Sequence, residues 1–440
     1  MSDSTKTTRR HFLRQAAAVG AGALAAPTVI PRRVMASADQ PGANDRIGLG
    51  GIGIGRQGSG VLRNAAALGG RVVAVADVSL PRAHEKAEPY QAEAYQDYRK
   101  LLDRKDVDAI VTATPDHWRA LVCIHACQAG KDVYAEKPMT LTIREGRLMV
   151  EAVRKYQRVF QTGSQQRSQA ENRFGCELVR NGRIGKIHTV IGHNYPSPWE
   201  CALSAQPVPQ GLDWDMWCGP TEVVPYHSDL YSPRANPGWI SFRPYSGGEM
   251  TGWGAHGLDQ IQCALGMDES GPVEVWTEGE PFDPPTYAEP ESRARGDKTC
   301  SSPMIFYRYA NGVILKLDNG NPGGGIFIGD RGKIEIFRGR VTSNPEGIVK
   351  EPIRDDEIHL YKSDNHVQNW IDCIRSRERP IADVEIGHRS TTVAHLGNIA
   401  RWLGRKLRWD PEKEVFLGDD EANTYLDRPR RKPYELPEPV

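Results

Sequence analysis

An apolar run from Ile47 to Ile52 ends in Gly53-Ile54-Gly55-Arg56-Gln57-Gly58, and a helix-forming stretch follows. No other feature restricts the fold as much. Gly53 permits a tight turn, Gly55 lets main chain approach a pyrophosphate, and Gly58 lets helix and strand pack closely. The helix start then offers free N–H groups to phosphate oxygens, with Arg56 and Gln57 beside them. Such glycine turns also occur as plain structure; what adds weight here is the next strand, "RVVAVAD". It ends in Asp77, nineteen residues beyond Gly58. A carboxylate there accepts hydrogen bonds from the ribose hydroxyls of a dinucleotide and repels a 2′-phosphate, so the motif points to NAD rather than NADP.

The alternation continues through "VDAIVTATP", "HWRALVCIHACQAG", "KDVYAEKP", "TIREGRLMVEAVRKYQ" and "VFQTGSQQR". Apolar strands separated by helical stretches predict βαβ units, hence a parallel sheet with helices on both faces. Ligands in such sheets bind beyond the carboxyl ends of the strands. That places Thr114, Pro115 and His117 near the cofactor, then Glu136 and Lys137, then Gln165 to Arg167. Lys137 lies between a carboxylate and Pro138, whose ring fixes the local backbone. At a strand end facing a nicotinamide, it can donate to a substrate hydroxyl or carbonyl and exchange a proton with it. Arg167 is assigned to the substrate.

A chain of 440 residues exceeds what one core usually supports, and the pattern changes near Gln166. Strands now follow one another with few helices: "GKIHTVIGHNY", "VEVWTEG", "SSPMIFYRYANGVILKLDN" and "DRGKIEIFRG". Between them lie Tyr195, Trp199, Trp214, Trp217, Tyr226, Tyr231, Trp239, Phe242, Tyr245 and Trp253. Aromatic faces suit the C–H surfaces of sugars, and equally they suit sheet packing or a subunit interface. Tyr195 and Trp253 are assigned to the substrate. "GAHGLDQIQCALG" predicts a helix from about Gly254 to its glycine stop at Gly266, with Ala255, Leu258, Ile261 and Leu265 inward. His256 and Asp259, three apart, share a face off that stripe. In the first turn the helix dipole favours a neutral, proton-accepting imidazole, although a structural histidine is the plain alternative.

Taken together, the glycine turn, Asp77, "ATPDHW" and "AEKPMTLTIREGRLMV" resemble the Gfo/Idh/MocA family of sugar and polyol oxidoreductases. "LDWDMWCGP", "GGEMTGWGAHGLDQIQ" and "RPIADVEIGHRSTTVAHLGNIARWLGRKLRWDP" resemble its exported branch. The resemblance implies an NAD-binding first domain, Lys137 as the lysine of a Glu-Lys-Pro motif, and an open, mostly antiparallel second sheet that covers the nicotinamide. It also implies an acid/base histidine paired with an aspartate four residues earlier. His256 matches the histidine, but Gly252 stands at the aspartate position. Two readings of that departure stand: Asp259, assigned to the catalytic set, orients His256 instead, or substrate approaches through the gap that Gly252 leaves.

The expected organisation is a two-domain α/β protein: a Rossmann domain over 46–165 and an α+β sheet domain over 166–365. Two amphipathic helices over 366–409 return to the Rossmann domain, and 410–440 forms a surface arm suited to a homo-oligomer contact. Ahead of them, "TTRRHFLRQAAAVGAGALAAPTVIP" carries Arg9 and Arg10 before a small-residue apolar stretch, with Ala36-Ser37-Ala38 as a cleavage site. Residues 1–38 read as a twin-arginine signal and 39–45 as a linker, with a membrane anchor or basic tail as alternatives. The stretch is short and broken by Pro27, whereas a spanning helix needs about 20 apolar residues. Without residues 1–38 the chain holds 50 basic against 55 acidic residues, a balance unsuited to nucleic acid. The eight cysteines show no metal-ligand spacing and are expected as buried free thiols.

An exported Rossmann enzyme that folds first can carry its NAD to a periplasm lacking a soluble pool, provided each turnover regenerates it. Three functions fit. The first is oxidation of a sugar or polyol hydroxyl with internal recycling. The second is redox-neutral glycoside cleavage, in which a transient ketone permits elimination and hydration. The third is sugar binding without catalysis.

Overall fold

The computed structural model describes residues 46–231, 238–284, 286–288 and 300–440. The expected signal and linker at 1–45 lie outside the described residues. Among those residues no helix is long and apolar enough to cross a membrane.

The first sheet contains β1 (Ile47–Ile52), β2 (Gly70–Ala76), β3 (Glu93–Tyr95), β4 (Ala109–Thr112), β5 (Asp132–Ala135) and β6 (Phe160–Thr162). Their order is β3-β2-β1-β4-β5-β6, and every pairing is parallel. β1, β4, β5 and β6 are buried on both faces, as helix-covered parallel strands must be. The order reverses between β1 and β4, so the crevice opens there, above Gly53 and Ala113. Gly53 adopts φ +64° and a Cβ on it would meet the Thr114 side chain at 2.5 Å, so only glycine fits.

Among the described residues the second sheet has nine strands: β7 (Ile187–His193), β8 (Pro272–Glu278), β9 (Met304–Tyr309), β10 (Ile314–Asp318), β11 (Gly325–Gly329), β12 (Gly332–Phe337), β13 (Arg340–Asn344), β14 (Leu407–Asp410) and β15 (Val415–Phe416). It is antiparallel except where β7 pairs with β10. One face carries Ile305, Tyr307, Tyr309, Leu315, Leu317, Phe327, Ile334 and Ile336, all buried. Against it lie the helices Ala170–Arg180, Gly254–Leu265 and Val384–Leu403.

Two sequence expectations change here. The Val384–Leu403 helix is not amphipathic. It is buried on nearly every side, because it lies between the Ile143–Lys155 helix of the first sheet and the Gly254–Leu265 helix of the second. Two of its buried polar residues find partners inside: Asn398 bonds Ser197 and Gly247, and Arg401 bonds the Tyr195 and Pro303 carbonyls. The C-terminal arm is no free surface element. Arg428 and Arg430 both reach Glu145, Arg428 donates to the His117 carbonyl, and Tyr434 packs edge-on to Trp118. All eight cysteines are free, and seven of them are buried.

Candidate active site

The turn after β1 and the ends of β2 and β4 enclose one hollow, lined by Gly53, Gly55, Asp77, Arg82, Thr114 and Pro115. Tyr98, Trp118, Met216, Trp217 and Tyr231 form its far wall. Asp77 is nearly buried at the end of β2, accepts the Ser79 N–H at 2.9 Å, and faces Arg82 at 3.6 Å. Burial pushes its carboxyl above the ordinary range, and Arg82 pulls against that. The Arg82 guanidinium lies over the Tyr231 ring at 5.2 Å.

A second cavity, of about 540 Å³, shares Gly55, Ala113 and Trp239 with the first. Arg56, Gln57 and Gly58 line one side; Glu136, Lys137, Gln165, Trp253, His256 and Arg338 line the rest. Glu136 accepts from the side-chain amides of Gln57 (3.1 Å) and Gln165 (3.0 Å), so the phosphate turn, β5 and the residues after β6 meet at one carboxylate. Lys137 donates its Nζ to the main-chain carbonyl of Gly252 at 3.1 Å. The position where the family resemblance led us to expect an aspartate therefore offers Lys137 a backbone oxygen. The helix carrying His256 begins at Gly254 as the spacing predicts, and a short helix, Gly248–Gly252, runs straight into it. Trp253 between them has helical geometry, its carbonyl accepts the His256 N–H at 3.0 Å, and the two rings sit 5.8 Å apart.

Beneath the site lies a buried pair that the sequence reading missed. Arg119 pairs with Asp116 at 3.1 Å and donates to the carbonyls of Thr114 and Pro138, tying together the segments that follow β4 and β5. Asp116 also accepts from Ser246 at 2.7 Å. The Asp116–Arg119 spacing of three on one helix was the available signal. Arg338, at the tip between β12 and β13, was also missed, since nothing local marks a hairpin arginine.

Four assigned residues stand elsewhere. Asp259 does not orient His256: its carboxylate accepts Arg167 Nε at 3.0 and 2.9 Å and the Ser390 hydroxyl at 2.7 Å. Arg167 does not face substrate, because both of its ends are taken, by Asp259 and by Asp268 (2.8 Å). His117 lines neither hollow. It is buried against Trp217 and Tyr245 with Nε2 2.8 Å from the Trp217 carbonyl oxygen, and burial holds its imidazole down to about 3. Tyr195 is buried under Gly254 and its hydroxyl accepts the Gly323 N–H at 3.0 Å. The aromatic run divides in the same way. Trp199, Trp214, Trp217, Tyr226, Phe242 and Tyr245 are a packed cluster; Trp253, 37% exposed, faces the second cavity.

Comparison with known proteins agrees with this architecture. Residues 46–164 match the oxidoreductase family's NAD-binding Rossmann fold, and residues 178–436, more than half the chain, match its C-terminal alpha/beta domain. The chain belongs to the Gfo/Idh/MocA oxidoreductase family. An inositol 2-dehydrogenase of Salmonella typhimurium is 33% identical over 149 residues, 33% of this chain and 44% of that protein. A glycosyl hydrolase family 109 protein of Shewanella pealeana is 26% identical over 217 residues, 44% of this chain and 48% of that protein. The chain spans about half the length of these curated relatives. Among solved structures, aldose-aldose oxidoreductase from Caulobacter crescentus superposes with a TM-score of 0.58 at 18% identity, covering 82% of this chain and 99% of that one. This last likeness bears on the fold.

The two hollows fit the family's dinucleotide. They join at Gly55, where a Cβ would meet nothing within 4 Å, leaving main chain open to a pyrophosphate at the start of the Arg56–Ala67 helix. Gly58 differs: a Cβ there already lies 3.0 Å from Ala113, so this glycine serves helix–strand packing. Asp77 lines the first hollow, and Lys137 and His256 line the second.

Proposed function

We propose that the chain is an exported NAD-dependent oxidoreductase that acts on a sugar or polyol hydroxyl and recycles its cofactor in place. One observation carries this reading: Lys137 and His256 line a single cavity that joins the dinucleotide hollow at Gly55. Bound across both hollows, NAD would supply a two-electron acceptor for a substrate C–H bond. Lys137, held through the Gly252 carbonyl, donates a hydrogen bond to the reacting hydroxyl oxygen and polarises it. His256 takes the hydroxyl proton and returns it when a carbonyl is reduced. Trp253 offers an apolar face to the ring C–H bonds. The names of the inositol dehydrogenase and aldose-aldose oxidoreductase relatives support a hydroxyl substrate, and the latter name supports recycling between two sugars.

Protein purified without added nucleotide should release NAD or NADH on denaturation. Lys137→Ala should keep that nucleotide and lose about two to four orders of magnitude in turnover. Empty wild-type protein, or near-normal turnover of the variant, refutes the reading. Replacing Arg9 and Arg10 by lysine should retain the chain inside the cell.

Redox-neutral glycoside cleavage is the second reading, favoured by the match to a glycosyl hydrolase family 109 protein. Cleavage of an aryl glycoside without added nucleotide would select it. Ketone formation that depends on an acceptor sugar would select the first.

A further inference from the structure

The charge lining the second cavity bears on the substrate. Its cations are Arg56, Arg119, Lys137 and Arg338, and its acids are Asp116 and Glu136. Arg119 and Asp116 neutralise each other in a buried pair. Arg56 stands at the glycine turn, where a pyrophosphate falls. Glu136 is held by two glutamine amides on the side of that turn. Lys137 and Arg338 remain at the opposite end, around Trp253.

Arg338 is placed there by construction. It follows β12 and precedes β13, and the adjacent Gly339, at φ +70°, gives its N–H to the buried Asn172 carboxamide oxygen at 2.8 Å. Asn172 in turn bonds Gln260 on the His256 helix at 2.7 Å. The hairpin tip is thus fastened, and its guanidinium lies 5.6 Å from the centre of the Trp253 ring. Among the described residues no acid pairs with Arg338. The nearby Glu249 instead accepts the Trp253 N–H at 3.2 Å. A guanidinium on an aromatic face keeps its N–H edge free for an oxyanion, two of whose oxygens it binds through parallel hydrogen bonds.

Resting on the sugar-oxidoreductase reading, we infer that the sugar carries an oxyanion substituent, a carboxylate or a sulfate ester, received by Arg338 above Trp253. Lys137 and His256 then address a hydroxyl of the same ring or its neighbour. Calorimetric titration of the nucleotide-containing protein tests this without turnover, so failure of the redox chemistry would not disguise the result. The probes are methyl β-D-glucuronide, glucose 6-sulfate and methyl β-D-glucoside. One of the two anions should bind at least about tenfold tighter than the neutral glycoside, and the tighter one identifies the substituent. The preference should shrink as salt rises from 50 to 500 mM, on the order expected for a partly exposed charge pair. In Arg338→Gln it should fall to within about threefold, and Arg338→Lys, which keeps charge without the fork, should lie between. Equal binding of all three probes by the wild type overturns the inference. So does a purified Arg338→Gln protein that has lost its nucleotide, since Arg338 would then serve the cofactor.

Discussion

Asp259→Asn separates a structural carboxylate from a catalytic one. Asp259 and Arg167 are both nearly buried, and burial raises the Asp259 carboxyl while Arg167 opposes the rise. Removing one partner of a buried ion pair costs about 3–5 kcal/mol, because the other charge stays behind. Here Arg167 keeps Asp268 at 2.8 Å, and the asparagine carbonyl can still accept from Nε. The loss should therefore be somewhat smaller, about 2–4 kcal/mol. Unfolding entropy of roughly 2.1 cal/mol/K per residue over roughly 390 residues amounts to about 0.8 kcal/mol/K, if the unit unfolds as a whole. The thermal midpoint should then drop by about 2–5 °C. Turnover of the folded variant at 25 °C should stay within about threefold, since no atom of this carboxylate reaches His256. A hundredfold loss of turnover with an unchanged midpoint would refute the reasoning and return Asp259 to the chemistry.

Asp77→Ser should lower discrimination against NADP by about tenfold or more, the scale of one charge-assisted hydrogen bond, and Arg82 would then face a 2′-phosphate unopposed. An unchanged cofactor preference would remove Asp77 from the ribose site. Acid should destabilise the fold well before its carboxylates titrate. Burial lowers His117 to about 3 and His366 and His395 to about 4, so between pH 6.5 and 4 the unfolded chain binds protons that the folded chain refuses. Stability is thus present above about pH 6.5 and falls with pH, by about 2 kcal/mol for each histidine at pH 5. A midpoint flat from pH 7.5 to 4.5 would contradict this. Tyr434→Ala should cost about 2–4 kcal/mol and quicken loss of retained nucleotide, because Tyr434 backs Trp118 in the wall of the first hollow. Unaltered retention would show that the arm does not support that wall.

The first sheet was legible because every step of it is local. A doubly buried strand must be apolar, a turn beneath a phosphate must be glycine, and each helix follows its strand within a few residues. Gly53, Gly55, Asp77 and Lys137 fall at strand ends for that reason, and their places could be read in order along the chain. β7 to β10 and β12 were readable as strands, since residues such as Ile305, Tyr307 and Tyr309 alternate inward, while β11 was not read. Their pairing was not legible, because the parallel contact between β7 and β10 joins segments 125 residues apart in register.

What the chain alone determined is the set of chemical groups and the spacing that delivers them to one edge of a parallel sheet. Partners were decided only in three dimensions. Asp259 shares a helical face with His256, yet Arg167, 92 residues away, takes its carboxylate, because a buried guanidinium demands an acid. Gly252 reads as a missing side chain, yet its carbonyl holds Lys137 across 115 residues. Helical spacing reports which residues share a face. It carries no record of what the rest of the chain brings to that face, and the desolvation of each charge there settles which pairs form.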